Sequence, residues 1–263
     1  MKLKEELEIY LDIEFRKYYI QQILLLQNLS LFELLKDTNF YLLSIKNINI
    51  VELFIKNKVD TFLQSQEETM FDDFMKGVAI FICGKIYGGV KSKLVGIDLE
   101  FEKDKTIYIV EIKSSPNWGN SSQIKKMRDN FATAKQILET KNKSKKVIAV
   151  NGCCYGRENQ FTKTDYLKLC GQRFWEFISG DENLYSEIIE PLEHKAIQKN
   201  DEFIIAYSQI INKFTLNFSL DFCVNGKINW EKLVQFNSST KQPEKQIKKK
   251  IVKEKTKRNK NTP

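Results

Sequence analysis

The chain holds 263 residues, 42% of them hydrophobic and 29% charged, with a formal net charge of +8. That composition suits a soluble globular protein of one large domain or two small ones. No apolar run reaches the roughly 18–20 residues of a membrane span, and the N-terminus lacks the apolar core of a signal peptide, so a membrane role is excluded and a cytoplasmic location is expected.

The elements follow in chain order. Residues 3–26 place apolar side chains at helical spacing and predict an amphipathic helix. Shorter helical patterns lie near 31–36, 40–47 and 49–57, and residues 62–89 read as a long helix stopped by Gly88 and Gly89. The period then changes. "VGIDLEF" (95–101) alternates as a half-buried strand, "EKDK" (102–105) is a turn, and "TIYIVEI" (106–112) is a β-branched, more fully buried strand. From Asn120 as N-cap to residue 140 runs a basic amphipathic helix with Ile124, Met127, Phe131, Ala134 and Leu138 on one face. Residues 145–156 read as a strand and its exit loop, 166–180 as a helix broken at Gly171, and 181–236 as mainly helical. The order predicts an α/β core with helical N- and C-terminal additions. The expected organisation is a helical region at 1–60, an α/β core at 61–180, a helical region at 181–240 and a disordered basic tail at 241–263.

That tail carries ten Lys/Arg and two Glu, a net +8, which leaves the body neutral with 32 bases and 32 acids. It is either a solubilising end or a nonspecific phosphate-binding arm. The five cysteines show no CxxC spacing, so neither a disulfide frame nor a zinc site is expected, and the vicinal Cys153 and Cys154 read as packing residues. The single histidine, His194, cannot build a two-histidine site and reads as a surface residue. Acid–base work then falls to Asp, Glu and Lys, aided by metal-bound water.

Alternation along a strand puts Glu111 and Lys113 on one side and sends Ile112 into the core. Asp98 stands on the preceding strand, 13 residues before Glu111, and a tight hairpin would bring the two acids together. A hard divalent cation relieves such repulsion. Mg²⁺ favours sites of one or two carboxylates completed by waters and substrate phosphates. Lys113 would position the attacking water and offset charge on a phosphate.

The segments "GIDLEF" (96–101) and "EIKSSPNWGNSSQIKKMRDNF" (111–131) resemble the catalytic block of a group of type II restriction endonucleases within the PD-(D/E)XK nuclease superfamily. The likeness extends to "EET" (67–69), "YGGVKS" (87–92), "NGCCYG" (151–156) and "GQRFWEFISGD" (171–181), covering about residues 60–185. The resemblance implies a central mixed sheet flanked by helices, with Asp98 and Glu111 as metal ligands and Lys113 as the catalytic lysine. Glu68, or Glu67, matches a helical acid that serves as a further ligand in such folds. Two positions depart from the pattern: Ile97 precedes Asp98 where Pro is frequent, and Ser115 stands where the group carries Gly.

Asn117, Trp118, Asn120, Ser121 and Gln123 would then lie where DNA passes, as groups suited to base edges and phosphates; Trp118 reads rather as a loop aromatic that caps the core and sets the loop's shape. Lys125, Lys126 and Arg128 add cations near a helix N-terminus, a phosphate-binding end. The expected function is Mg²⁺-dependent, sequence-specific cleavage of double-stranded DNA by a homodimer, paired with a cognate DNA methyltransferase. A repair or junction-resolving nuclease on the same core, or a non-catalytic DNA-binding protein, is the alternative. The block is also similar to that of enzymes cutting interrupted GC-rich palindromes of the RGGNCCY kind.

Overall fold

The computed structural model describes residues 2–46, 48–192 and 200–240. His194, expected at the surface, and the basic tail 241–263, expected to be a solubilising end or a phosphate-binding arm, lie outside the described residues. The chain divides into two compact units, one of Met1–Gln22 with Ser65–Phe203 and one of Ile23–Gln64 with Ile204–Pro263. These do not coincide with divisions at 60 and 180.

Four helices open the chain: α1 (Lys2–Asn28), α2 (Leu31–Lys36), α3 (Phe40–Ile45) and α4 (Val51–Tyr87). The short α2 owes its start to a capping box. Ser30 accepts the Glu33 N–H on its hydroxyl, and the Glu33 carboxylate accepts the Ser30 N–H. The 37-residue α4 runs without interruption through both patterns read as separate helices at 49–57 and 62–89.

The first unit is built on a five-stranded mixed sheet with strands β1 (Val90–Lys91), β2 (Leu99–Lys103), β3 (Thr106–Lys113), β4 (Lys146–Cys153) and β5 (Leu167–Cys170) in spatial order. β1, β2 and β3 are antiparallel neighbours, whereas β4 runs parallel to β3 and β5 parallel to β4. The β2–β3 hairpin closes at Lys103 opposite Thr106 through Asp104 and Lys105, both at positive φ, the geometry that matches strand twist in a two-residue turn. The parallel β3–β4 connection carries α5 (Ser121–Lys141), and β5 leads into α6 (Gln172–Ser179) and α7 (Leu184–Glu187). β5 takes four residues, up to the break at Gly171, of the segment 166–180 expected to be helical. Four residues are too few to show a period, and pairing on β4 decides their state.

Side chains alternate across this sheet. Leu99, Phe101, Val110, Ile112 and Val150 face a core shared with α1, α4 and α6. Ile109, Val147 and Ala149 face the other way, onto Met127, Phe131 and Ala134 of α5. Ile124, expected on that apolar face, stands at its margin, 36% exposed. Gly152 on β4 lets α6 approach: a Cβ there would lie 2.5 Å from Cδ2 and 2.9 Å from Cζ of the fully buried Phe174.

The second unit joins parts of the chain far apart in sequence. Within it the part of α8 (Asn200–Phe222) from Ile204 onward is followed by a small hairpin, β6 (Cys223–Val224) and β7 (Lys227–Ile228), and by α9 (Trp230–Ser238). A relay of rings holds it together: Phe54 on Phe218 at 5.1 Å, Phe218 on Phe222 at 5.3 Å, Phe222 on Phe236 at 5.2 Å and Phe236 on Phe32 at 5.5 Å. Asn237 donates to the Thr38 carbonyl at 2.6 Å. No helix among the described residues is long and apolar enough to cross a membrane.

Candidate active site

The period of β3 places Glu111 and Lys113 on the α5 side of the sheet, with Ile112 buried on the opposite side. Lys113 Nζ lies 2.8 Å from Glu111 Oε1. The other carboxylate oxygen, Glu111 Oε2, is buried and has no hydrogen-bond partner. An unpaired buried carboxylate oxygen costs on the order of 1–3 kcal/mol or more, so its presence needs a reason beyond stability.

Asp98 lies just outside β2, which starts at Leu99 rather than at 95. Its N–H donates to the Val110 carbonyl at 2.9 Å, and its Oδ2 accepts the Ile112 N–H at 2.7 Å. The backbone of β3 thus fixes the Asp98 carboxylate while leaving the second oxygen outside this bond.

The helical acids on α4 differ among themselves. Glu67 accepts a hydrogen bond from the buried Gln22 at 2.7 Å, and Glu68 is exposed. One turn beyond Glu68, Asp72 lies close enough to Cys154 to help raise its thiol pKa, as Asp98 does. Burial is the main cause of that rise, and Asp72 adds to it from α4. Its position four residues after Glu68 puts both on one helix face, a signal that periodicity alone could have supplied. Among the described residues no three His, Cys, Asp or Glu side chains are grouped closely enough to hold a metal ion. The structure thus brings Glu111 and Lys113 together and orders Asp98 against β3, but it does not gather Glu68 with them.

The loop after β3 is tied to its neighbours. Cys154 N–H donates to the Lys113 carbonyl at 2.8 Å, Tyr155 N–H to the Ser114 carbonyl at 3.1 Å, and Lys168 Nζ to the Pro116 carbonyl at 2.9 Å. Gly156, at φ +90, leaves room for the Pro116 ring, which a Cβ would meet at 2.6 Å. Ser115 is not among the positive-φ residues, so serine is accommodated in place of glycine, and its hydroxyl accepts the Asn117 N–H at 3.2 Å.

The residues expected to touch DNA divide. Asn117, Ser121, Lys125 and Lys126 are exposed, although Lys125 pairs with Asp129 at 3.5 Å. Asn120 and Gln123 form the capping box of α5: Asn120 Oδ1 accepts the Ser122 and Gln123 N–H groups, and Gln123 Oε1 accepts the Asn120 N–H. Arg128 is bound to Asp165 at 2.8 Å. Asn120→Ala is expected to lower stability by about 1 kcal/mol, whereas Asn120→Asp keeps the cap. Urea unfolding midpoints of the two variants check this, and equal midpoints would remove the cap from the account.

Trp118 is half-buried, with its ring packed on the α5-side core. Its indole N–H donates to Asn151 Oδ1 at 3.2 Å, and Lys113 Nζ stands over the ring at 4.6 Å from its centroid. Asn151, 1% exposed and opposite Glu111 in the β3–β4 register, donates its amide to the Glu111 carbonyl at 3.3 Å. Sequence reasoning passed over Asn151. A polar residue after "VIAV" on a parallel strand was the available signal. Cys153 and Cys154 are buried and free; burial pushes both thiols up, Cys154 to about 12, which keeps them protonated packing groups.

The protein family described as type II restriction endonuclease EcoO109I matches the chain over residues 5–200. No curated protein matches it.

Proposed function

The chain belongs to the type II restriction endonuclease EcoO109I family, and from that premise we propose that it cleaves double-stranded DNA site-specifically with Mg²⁺, using Asp98, Glu111 and Lys113. The mixed sheet flanked by helices supports a PD-(D/E)XK core. The observation that carries the reading is the Glu111–Lys113 pair at the C-terminal end of β3, with one buried carboxylate oxygen left unsatisfied.

That oxygen fits a hard cation. A ligand set of Glu111 and Asp98 is all oxygen, and one or two carboxylates suffice for Mg²⁺ when waters and phosphate complete its shell. Asp72 or Glu68 would add a carboxylate from α4. When bound, Mg²⁺ supplies charge stabilisation at the phosphate and lowers the pKa of a coordinated water. Asp98 contributes an orientation fixed by the Ile112 N–H. Glu111 holds the Lys113 ammonium through Oε1. Lys113 donates a hydrogen bond to the attacking water or to a phosphate oxygen and offsets the charge that grows there.

Asn117, Ser121, Lys125 and Lys126, exposed beside this end of the sheet, are the groups we assign to DNA, with the net +8 of residues 241–263 as a nonspecific phosphate contact. A two-fold homodimer on a palindromic site, a cytoplasmic location and a cognate methyltransferase complete the proposal.

The test is digestion of phage DNA. Cleavage is expected to stop in excess EDTA and return with Mg²⁺, while Ca²⁺ supports binding with little cutting. Sequenced fragment ends are expected to share one short site. Robust cutting in chelator would overturn the metal requirement, and ends without a common sequence would favour a repair or junction-resolving nuclease.

A further inference from the structure

We propose that Trp118 and Asn151 are positioning residues for Lys113, so that the indole serves the chemistry rather than the reading of bases. The inference rests on the reading of Lys113 as the catalytic lysine.

Both surroundings of the indole are accounted for. The ring packs on the core beneath α5, and the Lys113 ammonium lies over it at 4.6 Å. A ring so occupied offers little face to a nucleobase. The attraction between an ammonium and an indole face depends on the cation staying over the ring, so the ring must itself be held. Asn151 holds it: Oδ1 accepts the indole N–H at 3.2 Å. The same amide donates from Nδ2 to the Glu111 carbonyl at 3.3 Å. One buried side chain thus spans the catalytic strand and the loop that follows it.

The choice of residue supports this. A buried amide is costly unless both ends are bonded, and an aliphatic side chain could fill the same space. Asn is one of five buried polar or charged residues among those described, the others being Gln22, Thr38, Glu111 and Ser179. It lies directly opposite another of them, Glu111, in the strand register. The result is a continuous set of contacts from Asn151 to Trp118 to Lys113 to Glu111 Oε1. It leaves the ammonium two restraints, one carboxylate oxygen and one ring. A lysine side chain otherwise carries four rotatable bonds and loses much freedom when fixed.

The experiment uses the full chain and separates binding from cutting. Affinity for a cognate duplex is measured in Ca²⁺, and single-turnover cleavage in Mg²⁺ with enzyme in excess. Trp118→Leu removes the ring face and keeps bulk; Trp118→Phe keeps a ring and removes the N–H. Trp118→Leu is expected to slow cleavage about tenfold or more, with DNA affinity changed less than threefold, and Trp118→Phe, which keeps a ring but loses its tether to Asn151, to fall between wild type and Trp118→Leu with a loss close to that of Asn151→Ser. Asn151→Ser is expected to slow cleavage in the wild-type background and to add little to Trp118→Leu, the non-additivity of residues acting through one another. A weakened affinity with an unchanged cleavage rate at saturation would make Trp118 a DNA contact and overturn the proposal. Equal losses from Trp118→Phe and Trp118→Leu, or additive losses with Asn151→Ser, would overturn it as well. Lys113→Ala runs alongside: if it cuts as wild type, the assignment of the lysine has failed, and that failure is distinct from failure of the relay.

Discussion

Lys113→Ala is expected to fold and to lose cleavage by a factor of about a thousand or more, with Glu111→Ala and Asp98→Ala falling to a similar level. A loss of about 4 kcal/mol of transition-state stabilisation corresponds to that factor, since each 1.36 kcal/mol is tenfold. The three variants differ in what they do to the resting protein. Lys113→Ala strips the partner from Glu111 Oε1, leaving a buried carboxylate with both oxygens unsatisfied, and should lower the melting temperature. Glu111→Ala removes the orphan oxygen altogether and should melt at or above the wild type in the absence of metal, the usual exchange of stability for function at a site built for chemistry. Asp98→Ala frees the Ile112 N–H and should cost about 1 kcal/mol. Thermal melts in EDTA, set beside cleavage rates in Mg²⁺, test the set. A folded Lys113→Ala protein that cuts near the wild-type rate would remove the lysine from the mechanism.

Gly152→Ala is expected to destabilise the first unit strongly for the addition of a single methyl. Two opposing effects act on such a change. Replacing glycine restricts the unfolded chain and stabilises by about 0.4–1 kcal/mol where the native backbone suits alanine. Here the added carbon meets the ring of Phe174, which is fully buried beside Trp175 and Ile178 and has nowhere to retreat. Overpacking of a closed core costs about 1–3 kcal/mol, sometimes more, so the clash wins. A smaller residue opposite should relieve it: Gly152→Ala with Phe174→Leu is expected to lose less than the sum of the two single changes. Urea unfolding midpoints of the four proteins measure this. A Gly152→Ala midpoint equal to wild type would mean that α6 yields freely.

Strand β3 was the most legible part of the sequence. "TIYIVEI" is long, β-branched and followed by a polar loop, and the structure forms β3 across all of it, with Glu111 and Lys113 in contact as their spacing requires. Asn120 is the helix cap its position suggested, yet it and Gln123, both expected at the DNA, are turned on the helix itself as a capping box, which the N-x-x-Q spacing could have revealed. Other features were hidden for physical reasons. β5 is only four residues long, and its state is set by the open edge of β4 rather than by its own pattern. The pairing of Ile23–Gln64 with the chain after Ile204 depends on rings such as Phe54 and Phe218, separated by well over a hundred residues, which no local periodicity can register. Asn225-Gly226 was readable and overlooked: both residues take positive φ and close the β6–β7 hairpin, the strongest short signal for such a turn. Asn151 offered one local signal, a polar residue after "VIAV", but its role lies in partners on other segments, Trp118 and the Glu111 carbonyl.

The loop after Lys113 is anchored through its carbonyls and through a proline seated on a glycine, with the Lys113, Ser114 and Pro116 oxygens all engaged by groups from the neighbouring chain. Main-chain anchors are indifferent to which side chains the loop displays. Asn117, exposed at its tip, and Ser121, exposed where α5 begins, can therefore change while the ammonium stays where β3 puts it. With Asn117 and Ser121 as the proposed DNA contacts, such a loop would let sequence preference drift without loss of rate. A library randomised at these two positions, selected for altered cutting, would exploit the latitude that this anchoring provides.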